Sequence, residues 1–144
     1  MKIPSAIAVA VMASLAGFST AAFAQDAQAV RDYLSGQRFL VTYRHGGPAY
    51  GTYFFLTVNL CRSGSYFTLG QSRKQSVLES HGEQVHDWQD QGRWDVTESA
   101  GRIAVRYIST TGQVSLYPIY IGPNGQIATN NGMTVVRKGP AQCP

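Results

Sequence analysis

The feature that most constrains the fold is an alternation of apolar and polar residues in short segments after residue 37. Glycine, proline or asparagine interrupts the pattern about every ten residues, and a period of two predicts strands with one buried face. The predicted strands are residues 38–44, 51–61, 65–69, 93–97, 102–109, 113–121, 126–129 and 133–137. Short connections favour an antiparallel meander of seven to eight strands. We predict an all-β domain, either a small barrel or a two-layer sandwich, and prefer the barrel because closure removes exposed strand edges.

Three segments refine this picture. Residues 51–61 have apolar side chains on both faces, so we expect this strand to be central. Pro118 interrupts residues 113–121 and, because proline has no backbone N–H, predicts an edge strand or a bulge. Before the strands, residues 25–34 predict a short helix with an apolar face of Val30, Tyr33 and Leu34.

Residues 70–92 form a polar segment that departs from the regular pattern. Its only bulky apolar residues are Val77, Leu78, Val85 and Trp88. We therefore predict a long loop or an irregular hairpin. Because long loops in small domains often carry function, this segment is a candidate contact region in which an exposed Trp88 would anchor a partner.

The first 24 residues have the three parts of a secretory signal peptide. Lys2 is positively charged, residues 7–15 are apolar, and residues 22–24 read Ala-Phe-Ala, which fits a cleavage site. The apolar run is too short to cross a bilayer, so we expect no stable membrane insertion. We predict cleavage near Ala24, a periplasmic or extracellular location, and a single domain of residues 25–144.

The charge balance does not favour a nucleic-acid partner. The chain has 12 Lys and Arg and 8 Asp and Glu, and loss of Lys2 with the leader lowers the net charge from +4 to +3. The basic residues are scattered rather than clustered, so we expect no binding to nucleic acid.

The two cysteines are Cys61 and Cys143. In an exported chain an even cysteine count favours a disulfide, and only one pairing exists. That bond would join the end of a strand to the C-terminal tail. The alternative is two separate thiols, neither of which has the spacing of a redox site.

Potential metal ligands cluster in one place, at Glu79, His81, Glu83, His86 and Asp87. Their spacing matches no established metal-site template, so we expect solvated side chains, no metal and no cofactor. His81 and His86 are the candidate ligands if a metal binds.

Aromatic residues are frequent, with seven tyrosines and two tryptophans after residue 40. Such a density either fills a core or lines a ligand site. Trp94 lies on an alternating segment and is expected in the core. The candidate contact residues are Trp88, Tyr53, Tyr117 and Arg44, the last as part of a basic rim at the strand ends.

No catalytic motif stands out. No serine lies in a G-x-S-x-G motif, and no arrangement of acidic residues indicates acid–base chemistry. We therefore expect a monomeric binding protein rather than an enzyme. The first hypothesis is a barrel that holds a small apolar or amphipathic ligand. The alternative is a protein-binding module, such as an inhibitor of an exported enzyme, with contacts through residues 70–92.

Overall fold

The computed structural model describes residues 26–46, 50–76, 84–129 and 131–144. The predicted signal peptide lies outside these residues. Within them, one helix precedes eight strands: α1 Ala27–Leu34, β1 Gln37–Gly46, β2 Tyr50–Leu60, β3 Ser65–Ser76, β4 Gln84–Ser99, β5 Arg102–Ser109, β6 Val114–Ile121, β7 Ile127–Thr129 and β8 Thr134–Pro140.

The strands close into an antiparallel barrel. Each strand pairs with the next along the chain, and β1 also pairs with β8, from Gln37 opposite Pro140 to Thr42 opposite Thr134. This arrangement confirms the predicted all-β meander with its preceding helix and selects the barrel over the sandwich. Alternate residues of each strand point inward, as the two-residue period requires.

Of the two predictions for residues 70–92, the hairpin is confirmed and the long loop is wrong. β3 continues to Ser76, β4 begins at Gln84, and the two pair without interruption from Ser65 opposite Arg93 to Lys74 opposite Gln84. The backbone ladder needs no apolar side chains, and polar side chains pair across it. Gln71 Nε2 donates to Asp87 Oδ1 at 2.9 Å, for example. Residues 70–76 and 84–92 are therefore polar strands of one hairpin, and residues 77–83 between them lie outside the described residues.

Helix α1 covers one end of the barrel. The side chain of Asp26 caps its first turn by accepting from the Gln28 N–H, and Val30 and Leu34 are buried in the core. The Tyr33 hydroxyl donates to the Gly125 carbonyl at 2.7 Å, which ties the helix to the β6–β7 turn. The predicted helix and its apolar face are confirmed. No helix among the described residues is long and apolar enough to cross a membrane.

The core lies between α1 and the middle of the barrel. Trp94 is 3% exposed, and its indole N–H donates to the Cys61 carbonyl at 3.0 Å, so its expected core position is confirmed. The other buried apolar side chains are Val30, Leu34, Phe39, Val58, Leu60, Tyr66, Ile103, Val105 and Ile121.

A disulfide fastens the C-terminal tail to this closed end. Cys61 and Cys143 are bonded, which confirms the predicted bridge and excludes two separate thiols. Two hydrogen bonds hold the tail next to the disulfide. The Ala141 N–H donates to the Gly36 carbonyl, and the Gln142 N–H donates to Asn59 Oδ1. The tail therefore braces the turn between α1 and β1.

Pro118 does not mark an edge strand, because β6 lies between β5 and β7 in the closed barrel. Its pairing with β5 ends at Pro118, opposite Ala104, and its pairing with β7 starts at Ile119, opposite Thr129. The proline thus lies where the strand changes partner, a position at which a missing N–H disturbs the ladder least.

Candidate functional site

The barrel encloses a cavity of about 210 Å³ that is partly open to solvent. It extends from Leu34 of α1 toward the opposite end of the barrel, where β1 connects to β2 and β3 to β4. Most of its lining is aliphatic or aromatic and comes from inward positions on all eight strands. The apolar lining includes Phe39, Val41, Tyr43, Leu56, Val58, Leu60, Trp88, Val105, Ile119, Ile127, Met133 and Val135.

One carboxylate lies in this apolar lining. Asp90 on β4 faces inward opposite Thr68 of β3. The hydroxyl of the buried Tyr66 donates to Asp90 Oδ2 at 2.8 Å, and the backbone N–H of Gln91 donates to Oδ1 at 2.9 Å. Each carboxylate oxygen therefore accepts one hydrogen bond from the protein and keeps capacity for a second.

Three tyrosines continue from Asp90 across the cavity wall. The rings of Tyr66 and Tyr107 meet edge to face with centroids 5.0 Å apart, and those of Tyr107 and Tyr117 do so at 5.7 Å. Burial raises the pKa of Tyr107, and burial followed by the hydrogen bond to Asp90 raises the pKa of Tyr66. Both phenols are therefore neutral hydrogen-bonding groups at physiological pH.

Further aromatic rings lie nearer the end opposite α1. Tyr43 and Phe54 stack with centroids 4.4 Å apart on the paired strands β1 and β2. Trp88 lies against Gly70, its partner across the β3–β4 ladder, and a Cβ at Gly70 would overlap the indole ring. The absence of a side chain at Gly70 therefore makes room for the Trp88 ring in the lining.

The four predicted contact residues do not form one site. Trp88 and Tyr117 line the cavity, with Trp88 on a strand rather than in a loop. Tyr53 and Arg44 are outside the lining: they are paired across β1 and β2, and the Arg44 guanidinium lies 5.4 Å from the centroid of the Tyr53 ring. A ligand held inside the barrel would meet the first two residues and not the last two.

Sequence reasoning missed Asp90, Tyr66 and Tyr107 as site residues. The only signal in the sequence was the place of each residue in the two-residue alternation of its strand. All three residues face inward once the strand register is known. Asp90 fell within the segment predicted as a long loop or an irregular hairpin, for which alternation does not give the direction of a side chain.

The candidate metal ligands give no site that the structure describes. His81 lies outside the described residues, and His86 is exposed on β4 opposite Ser72. Across residues 26–46, 50–76, 84–129 and 131–144, no group of three His, Cys, Asp or Glu side chains is arranged to hold a metal ion.

The outer surface of the barrel also carries apolar side chains. A more open depression on β2, β3 and β4 includes Phe55, Thr57 and Leu69. Leu69 is 55% exposed and Val85 on β4 is 51% exposed. Outward residues of β6 are exposed as well, namely Val114, Leu116 and Tyr120.

No family model, curated protein or solved structure matches this chain. The geometry of the barrel and its cavity is therefore the basis on which a function can be assigned.

Proposed function

We propose that the protein is an exported binding protein that holds one small apolar or amphipathic molecule inside its barrel. The observation that carries the proposal is the internal cavity, with a mostly apolar lining and a few polar groups. Binding sites for small molecules typically combine these two features. The interior of an eight-stranded barrel is either filled by its own side chains or able to hold one small ligand. In this barrel the side chains leave a cavity.

The size of the cavity limits the ligand. An apolar cavity of about 150 Å³ is enough to bind benzene. The volume of about 210 Å³ therefore suits one ring with a short substituent, or a short alkyl chain. Because the cavity is partly open, a polar end of the ligand would reach solvent while its apolar part contacts residues such as Val58 and Val135.

Export is part of the same proposal. The Cys61–Cys143 disulfide is typical of proteins that work in an oxidising compartment. We propose that residues 1–24 act as a signal peptide that is cleaved near Ala24 and that the barrel works in the periplasm or outside the cell.

Calorimetric titration with phenylpropanol, a neutral ligand with one ring, tests the binding proposal. Neighbouring residues on β8 supply a matched pair of variants, because Val135 lines the cavity and Val136 is 43% exposed on the outside. Val135→Trp should fill the cavity and abolish binding, whereas Val136→Trp should bind like the wild type. Equal binding by the two variants, or failure of the wild type to bind phenylpropanol and both its amine and acid analogues, would contradict the proposal.

The alternative proposal is a protein-binding module, such as an inhibitor of an exported enzyme, that acts through residues 70–92. The exposure of Leu69 and Val85 near this hairpin favours it, because exposed apolar side chains often mark interfaces. Inhibition assays against purified exported proteases distinguish the two proposals. An inhibitor of this kind would lose activity on Val85→Glu and retain it on Val135→Trp, the opposite of the pattern for a ligand-binding barrel.

A further inference from the structure

The charge inside the cavity is opposite in sign to that of the chain. The sequence has a net charge of +4, but among the described residues that line the cavity Asp90 is the only charged one. A ligand group that reaches this carboxylate must supply a positive charge or a hydrogen-bond donor, because an ionised carboxylate only accepts hydrogen bonds.

The position of Asp90 allows this contact. The carboxylate is exposed, although it lies on an inward position of β4. The bonds from Tyr66 and Gln91 fix its direction and use one lone pair on each oxygen. A donor in the cavity can therefore bond to Asp90 without displacing either of these contacts.

The surrounding rings favour a cation over a neutral donor. Trp88, Tyr43, Tyr107 and Tyr117 line the same cavity as Asp90. The faces of aromatic rings attract cations, tryptophan most strongly, and cages of this composition recognise substituted ammonium groups. A cavity that contains one carboxylate and several aromatic rings is thus suited to an organic ammonium ion.

We propose that the ligand is a small organic amine, with its ammonium group on Asp90 and its apolar part in the barrel. This inference rests on the proposed ligand-binding function and specifies the head group of that ligand. An anionic head group, such as that of a carboxylic acid, would be repelled by the charge of Asp90. Among the described residues, the lining offers no cation to offset that repulsion.

Three ligands that differ only in their head group test the inference: phenylpropylamine, phenylpropanol and phenylpropanoate, titrated by calorimetry at low salt. A charge-assisted hydrogen bond should make the amine bind about tenfold more tightly than the alcohol, with the acid weakest. Asp90→Asn should abolish this preference. The matched control is Asp87→Asn, which removes the same charge from the outer face of the same strand and should preserve the preference.

The outcomes separate the two proposals. Equal binding of amine and alcohol by the wild type, or a preference that survives in Asp90→Asn, would overturn the amine inference and leave the ligand-binding function standing. Failure of all three ligands to bind would contradict the binding function itself. The dependence on salt needs no variant. A higher salt concentration should weaken binding of the amine more than binding of the alcohol, because salt screens the charge interaction. An equal effect would overturn the inference.

Discussion

Loss of the Cys61–Cys143 bond should cost a large part of the stability of this barrel. The bond spans 82 residues of sequence. Loop-closure entropy for a loop of this length corresponds to about 4.5 kcal/mol at 25 °C. Since small domains are stable by about 5–15 kcal/mol, the reduced protein should be close to its unfolding threshold. The tail contacts through Ala141 and Gln142 are too few to replace the bond.

Urea unfolding with and without a reductant measures this cost. With an m-value of about 2 kcal/mol/M, the midpoint should fall by about 2 M on reduction. The m-value itself should rise, because the reduced unfolded chain is more expanded and exposes more surface. The Cys61→Ala, Cys143→Ala double variant should match the reduced protein and should not respond to the reductant. A midpoint that is unchanged on reduction would refute the loop-closure reasoning.

Three further predictions concern the helix, the hairpin and the buried tyrosines. Leu34→Ala should lower the free energy of unfolding in urea by about 2–5 kcal/mol, because the side chain is 2% exposed and closes the base of the cavity. A loss below about 1 kcal/mol would show that α1 contributes little to stability. Gly70→Ala should displace the Trp88 ring and cost about 1–3 kcal/mol, with a shift in tryptophan emission; unchanged emission would argue against the close contact. Burial raises the pKa of Tyr66 and Tyr107 above 10, so their contribution to the free energy of unfolding should be fully present below pH 10. Above pH 10 it should fall by about 1.4 kcal/mol per pH unit for each tyrosine. Urea midpoints at pH 9 and pH 11 check this, and equal midpoints would contradict it.

Much of the architecture could be predicted from local pattern. Alternation identified most strands because apolar side chains must face one side of a sheet whose other side is polar. The disulfide followed from the presence of two cysteines in a chain with a predicted export signal. The barrel was harder to separate from a sandwich, since closure depends on the β1–β8 pairing across nearly the full length of the chain.

Alternation did not reveal which face of a strand is inside. On β6 the residues Val114, Leu116 and Tyr120 form an apolar set, but they are exposed, while Ser115 and Tyr117 line the cavity. The direction of a strand face is decided by tertiary pairing, and neighbouring residues in the sequence do not encode it.

The position of Asp90 shows why the candidate site was not found. Its partner Tyr66 is 24 residues earlier, and their contact depends on the register of the β3–β4 hairpin. A shift of one residue in that register would turn Asp90 to the outer face. The polar sequence of the hairpin does not specify its register strongly, so a pattern-based prediction of the site was out of reach.

The most direct test of the central claim is native mass spectrometry of the protein recovered without denaturation from the cell that makes it. We expect the disulfide-bonded chain with one small molecule attached, an adduct that Val136→Trp retains and Val135→Trp lacks. If the wild type and Val135→Trp both have bare masses, and neither gains an adduct with excess phenylpropylamine or phenylpropanol, the cavity does not bind ligands and the account is contradicted.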